Sequence, residues 1–94
     1  MRIKYTSLLR ELTGLEEEDL PVEEQMTMLE LLHTLCQHHG YRFNAYLFEE
    51  RSERPKRYLQ FFVDDRTIES LKGLETMVTD TSVVTIAFMP VIGG

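Results

Sequence analysis

The sequence predicts an α+β domain in which one main helix packs against a mixed sheet. Three observations predict it. Apolar and polar residues alternate with period two at the N-terminus and again over residues 58–63, the mark of half-buried strands. A capped apolar stripe runs from Met28 to His39 at helical spacing, and a β-branched run, Val83-Val84-Thr85-Ile86-Ala87-Phe88, sits close to the end of the chain.

Taken in order, Ile3 and Tyr5 alternate with Arg2, Lys4 and Thr6, which predicts a strand over residues 1–7. Leu8, Leu9 and Leu12 fall at helical spacing and stop at Thr13-Gly14, a short helical turn before a second strand near Glu17 to Val22. Pro21 has no N–H to donate, so that strand belongs at a sheet edge. Thr27-Met28-Leu29-Glu30 reads as a capping box, in which each side chain satisfies a free backbone N–H of the other, and it starts the main helix at Met28. Met28, Leu31, Leu32, Leu35, Cys36 and His39 form its apolar face, and Gly40 supplies a left-handed stop.

Residues 41–57 begin with aromatics (Tyr41, Phe43, Tyr46, Phe48) and pass into a charged run from Glu49 to Arg57, read as a solvated loop. Leu59, Phe61 and Val63 then alternate with Tyr58, Gln60 and Phe62, and Asp64-Asp65 signals a turn into a short strand around Thr67-Ile68. Leu71, Leu74 and Met77 are expected to plug the core. The Val83–Phe88 run is expected to be a central strand, buried on both sides or at its middle. This order makes a layered sandwich of helix on sheet.

At 94 residues and 11.1 kDa, with 43% apolar and 28% charged side chains, the chain (residues 1–94) is expected to form a single domain. No apolar run approaches the roughly 18 residues of a bilayer span, so no membrane association is expected. The opening residues lack a signal-peptide apolar region, which predicts a cytoplasmic protein. The net charge of −6 argues against nucleic acid as a partner, because phosphate binding is driven by cations. That charge sits in residues 1–50, which hold four basic and ten acidic side chains. A steered partner would present a basic surface to that half.

Several side chains invite sharper readings than they support. One cysteine, Cys36, excludes an internal disulfide and any multi-thiolate zinc site, and its place on the helix stripe suits a small buried hydrophobe. His33, His38 and His39 lack the i, i+4 spacing that would pair two ligands on one helix face, so no metal site is expected. Glu16-Glu17-Glu18-Asp19 reads as a solvated edge. Phe62 and Ile68, if they point away from the helix, would make an apolar patch for a partner.

The C-terminus carries the chemistry. The chain ends Met89-Pro90-Val91-Ile92-Gly93-Gly94, directly after the expected central strand. With glycine at about 7% of average sequence, a terminal pair arises by chance in roughly one chain in two hundred. Pro90 ends the strand, and Gly93 and Gly94 present a carboxylate with no flanking Cβ atoms, suited to a narrow channel in another protein. A carboxylate resists nucleophiles until it is activated, for instance as an acyl adenylate made with ATP.

Ile3-Lys4-Tyr5, the segment Ser7 to Gly14, the capped helix from Thr27, Val63-Asp64-Asp65-Arg66, Leu71-Lys72-Gly73-Leu74-Glu75-Thr76 and the terminal Met89 to Gly94, in that order, resemble the MoaD/ThiS-like sulfur carriers over nearly the whole chain. The likeness is strongest to the MoaD branch and its archaeal small-modifier relatives. Met89 stands where that family commonly has proline, and Ile92 where it usually has a small residue. The resemblance implies a β-grasp (ubiquitin-like) fold and a non-catalytic role in which an activating enzyme adenylates Gly94 and sulfur transfer makes a thiocarboxylate. Pro90, Val91, Ile92 and Gly93 would thread into the partner. In the MoaD branch the tail enters the large subunit of molybdopterin synthase; in the modifier branch Gly94 is joined to a lysine of a target protein. Nucleotide site, metals and catalytic bases would belong to the partners, with no cofactor bound by this chain. A plain interaction domain with incidental glycines is the remaining alternative.

Overall fold

The computed structural model describes residues 1–88. Its frame is a five-stranded sheet in the order β2-β1-β7-β4-β5, and the sequence accounts for each position in it. Strand β1 (Arg2–Tyr5) buries Ile3 and Tyr5 and exposes Arg2 and Lys4, as the alternation predicts. It is shorter than expected, because Ser7 turns the chain at φ 48° into helix α1 (Leu8–Thr13), which closes on a left-handed Gly14. Strand β2 (Glu17–Asp19) returns antiparallel to β1 and forms one sheet edge. It stops before Pro21, short of the expected Val22.

Strand β3 (Met26–Thr27) leads straight into helix α2 (Met28–His39). The capping box is present: the Glu30 N–H donates to Thr27 Oγ1 at 3.1 Å and the Thr27 N–H to Glu30 Oε1 at 2.9 Å. Met28, Leu31, Leu32 and Leu35 are buried in the core, while Cys36 and His39 lie half-buried at the far end of the stripe. Gly40 takes a positive φ of 87° with ψ −166°, not the left-handed helical conformation expected of it. The chain then re-enters a helix, α3 (Tyr41–Leu47), an element that the aromatics of this stretch do not predict. Its seeds are Phe43 and Leu47, one turn apart and both buried. The charged run after it is a series of exposed turns, as expected, with Phe48 bridged to Pro55.

Strand β4 (Leu59–Val63) buries Leu59, Phe61 and Val63 on the helix side. Asp64 and Asp65, with φ of 50° and 68°, form the tight turn to β5 (Arg66–Thr67). Two 3₁₀ turns follow, Ile68–Ser70 and Gly73–Glu75, and then β6 (Met77–Val78), which pairs with β3 as a separate two-stranded sheet. Leu71 and Leu74 pack against the core as expected, but Met77 does not: it is 44% exposed, and Val78, the next residue, points inward instead. Two-residue strands are too short to display their period, which is why this sheet was not legible.

Strand β7 (Val83–Phe88) is central, parallel to β1 and antiparallel to β4, so the sheet is mixed. Val84 and Ile86 are fully buried on the helix side, whereas Val83, Thr85 and Ala87 are half-exposed on the other. One face of this strand, not both, is in the core. No helix among the described residues is long and apolar enough to cross a membrane.

Candidate functional site

Gly94, Gly93, Ile92, Val91 and Pro90 lie outside the described residues, so the structure speaks to the root of this tail. The root is the end of β7. Phe88, paired with Leu59 across the β7–β4 ladder, is the last described residue. It stacks on Tyr58 with ring centroids 5.2 Å apart and meets the edge of Tyr46 at 5.4 Å; Tyr46 and Tyr58 are themselves 5.7 Å apart. The Tyr58 hydroxyl donates to the Tyr46 carbonyl oxygen at 3.2 Å. Burial, then the neighbouring Tyr46 and Glu49, raise the Tyr58 hydroxyl above its usual pKa, so it stays a neutral donor. This aromatic cluster ties the final residue of β7 to α3, and the tail departs from the most firmly paired strand of the sheet. Three stacked or edge-on rings supply that anchorage beyond simple area burial.

Phe62 and Ile68 do not come together. Phe62 sits half-buried on the open face of the sheet, opposite Thr67, while Ile68 is 4% exposed and part of the core. The proposed patch of the two is therefore corrected to Phe62 alone: the 3₁₀ turn beginning at Ile68 swings that side chain under the sheet.

A second arrangement went unread in the sequence. In β2 the alternation places Glu18, between Glu17 and Asp19, on the helix side, opposite Ile3. Its Oε1 accepts hydrogen bonds from the Tyr5 hydroxyl and from His39 Nε2, the latter at 2.6 Å. Glu18 and His39 are only 18% and 13% exposed, so the acidic run is not uniformly solvated. Burial acts to raise the Glu18 carboxyl, but the hydrogen bonds from Tyr5 and His39 and the charges of His39 and His38 outweigh it and hold it below its usual pKa. Burial and Glu18 push the Tyr5 hydroxyl well above its usual value, which keeps it a donor. Nε2 must carry a proton in this geometry, since it faces a carboxylate. The cluster bridges β1, β2 and the end of α2, and it holds the edge strand to the helix layer. Period two within the acidic run was the signal that would have found it.

Cys36 donates weakly to Asn44 Oδ1 at 3.7 Å, and burial pushes its thiol up to about 11, so at neutral pH it is a thiol and not a nucleophile. His33 stacks on Phe48, away from His38 and His39. Among the described residues no three His, Cys, Asp or Glu side chains converge as a metal-holding set.

The comparison that decides the family covers nearly the whole chain, tail included: the model of the ThiS family matches residues 3–94. The chain belongs to the ThiS family. Among solved structures, this ThiS-family chain is similar to the small archaeal modifier protein 1 (SAMP1) from Methanosarcina acetivorans, with 26% identity and a TM-score of 0.82 over 99% of this chain and 94% of that one. It is also similar to a chain of the BexX/CysO complex of Amycolatopsis orientalis, with 26% identity and a TM-score of 0.76 over 99% and 98%. A putative molybdopterin converting factor subunit 1 from Pyrococcus furiosus shares the fold, at 21% identity and a TM-score of 0.73 over 94% of each chain. Comparison with curated proteins finds no match. The fold of this ThiS-family chain is the ubiquitin-like β-grasp.

Proposed function

We propose that this chain is a MoaD-like sulfur carrier whose working group is the Gly94 carboxylate. The carboxylate attacks the α-phosphorus of ATP in the active site of an adenylating enzyme, pyrophosphate leaves, and a sulfur nucleophile then displaces AMP to give a thiocarboxylate. That sulfur is donated in molybdopterin biosynthesis, with the tail seated in the large subunit of molybdopterin synthase. ATP is a substrate of the partner, and this chain holds no cofactor of its own. An ATP-dependent partner is in keeping with a cytoplasmic protein.

The observation that carries the reading is the family match extending through Gly93 and Gly94, in a chain whose central strand β7 ends at Phe88, shortly before them in sequence. Among the described residues, Phe88 at the root of the tail packs on Tyr46 and Tyr58. A second reading has its own support in the likeness to SAMP1: the same adenylate is attacked by the ε-amine of a target lysine, AMP leaves and an isopeptide bond forms. Incubation with the host's adenylating enzyme, ATP and a sulfur donor, followed by intact mass, separates the two. A carrier gains the mass difference between sulfur and oxygen. A modifier instead yields isopeptide remnants ending in Ile92-Gly93-Gly94 on cellular lysines. No change in mass, with no remnants, would reject both.

A further inference from the structure

Resting on the reading that a partner takes up the C-terminus, we propose that a groove beside the root of the tail is a second docking point for that partner, and that it receives an apolar side chain flanked by carboxylates. The groove has a volume of about 310 Å³; Leu59, Phe61, Ile68 and Leu74 wall it, and Lys56 and Arg57 stand on its rim.

Its position is fixed by the ladder. Leu59 faces Phe88 across β4 and β7, and facing residues of antiparallel strands have Cα atoms about 4.5–5.5 Å apart. One wall of the groove is thus the cross-strand neighbour of the residue from which the tail continues. Its walls are preformed by main-chain bonds: the Lys56 N–H donates to the Leu47 carbonyl at 2.9 Å, Leu71 N–H to Ile68 at 3.0 Å, and Thr76 N–H to Gly73 at 3.0 Å. The Lys72 N–H donates to Thr76 Oγ1 at 3.0 Å. Gly73, at φ 58°, leaves open space where a Cβ would stand.

Its charge selects the occupant. In a chain of net charge −6, residues 51–57 hold Arg51, Arg54, Lys56 and Arg57 against the single acid Glu53. Lys56 Nζ is 3.9 Å from Glu49, a weak pairing, and Arg57 is exposed and makes no ion pair among the described residues. Glu69 is the one acid on the lining. An apolar floor under a cationic rim fits a leucine-like side chain with acidic neighbours.

The test is titration of the ¹⁵N-labelled full chain with acetyl-Leu-Asp-Glu-amide. The backbone amides of Leu59, Ile68, Gly73 and Leu74 should move saturably, Arg57→Glu should weaken the response at least tenfold, and acetyl-Leu-Lys-Lys-amide should leave those amides in place. No movement, an equal response to the basic peptide, or an Arg57→Glu variant that binds as well would overturn the proposal. So would groove amides that move with protein concentration, which makes a second copy the occupant. Groove amides that move on Ile92→Asp without peptide would make the chain's own tail the occupant and overturn it too. Neither ATP nor an enzyme enters this titration, so its outcome is independent of whether Gly94 is loaded.

Discussion

Replacing Glu18 with Gln keeps the shape of the Tyr5–Glu18–His39 cluster and removes its charge. In the parent chain one carboxylate oxygen accepts from both the Tyr5 hydroxyl and His39 Nε2, the second at 2.6 Å. Hydrogen bonds to a charged group contribute about 1.5–3 kcal/mol each in protected sites. Residual solvent contact at Glu18 and His39, 18% and 13% exposed, screens them, and the Gln oxygen still accepts both bonds but without the charge, so the expected loss is about 1–2 kcal/mol. In urea that moves the midpoint down by about 0.5–1 M, and in a thermal melt by about 4–8 °C per kcal/mol. The pH dependence is the sharper reading. The folded pKa of Glu18 lies below its ordinary 4.5, so its contribution is present above that value and is lost as pH falls through the folded value. Urea curves of parent and variant should be well separated at neutral pH and should draw together at an acid pH below the folded pKa of Glu18, where both side chains are neutral. A separation that is the same at both pH values would show that the effect is steric, and no separation at neutral pH would show that the cluster does not hold β2 to α2.

Three further outcomes follow from burial and capping. Thr27→Ala removes the acceptor that satisfies the Glu30 N–H and should cost about 1 kcal/mol, read as a urea midpoint shift with unchanged slope. Ile68→Ala opens the core and should cost about 2–5 kcal/mol by the same measurement, whereas Phe62→Ala on the open face should cost clearly less; the reverse ranking would restore Ile68 to the surface. Cys36, with its thiol pushed up to about 11, should react with a disulfide reagent at neutral pH far more slowly than in the urea-unfolded chain, and equal rates would contradict its burial.

Much of the sheet was legible because its strands are long enough to show period two: Leu59, Phe61 and Val63 are buried on alternate positions just as their pattern indicates. The capping box fixed the start of α2 because both partners lie within four residues of sequence. What escaped depended on distance. Helix α3 carries only Phe43 and Leu47 as buried anchors, too few for a stripe, and α2 and α3 are separated only by Gly40. The β3–β6 pair joins residues some fifty positions apart with two residues on each side, a pairing that no local pattern encodes. Glu18 was misread because a run of acids suggests solvent, although strand geometry must turn every second side chain inward. At the candidate site, the terminal glycines were plain in the sequence, while the ring cluster that anchors Phe88 needed the fold to bring Tyr46 and Tyr58 together.

The central claim is tested most directly on the protein isolated from its own cells, by mass analysis of its C-terminal proteolytic fragment. The account predicts a fragment ending at Gly94 whose terminal carboxyl carries sulfur in place of oxygen, or is joined to a lysine. A fragment that runs on past Gly94 uncut, or one that ends in an unmodified carboxylate under every condition of growth, would contradict it.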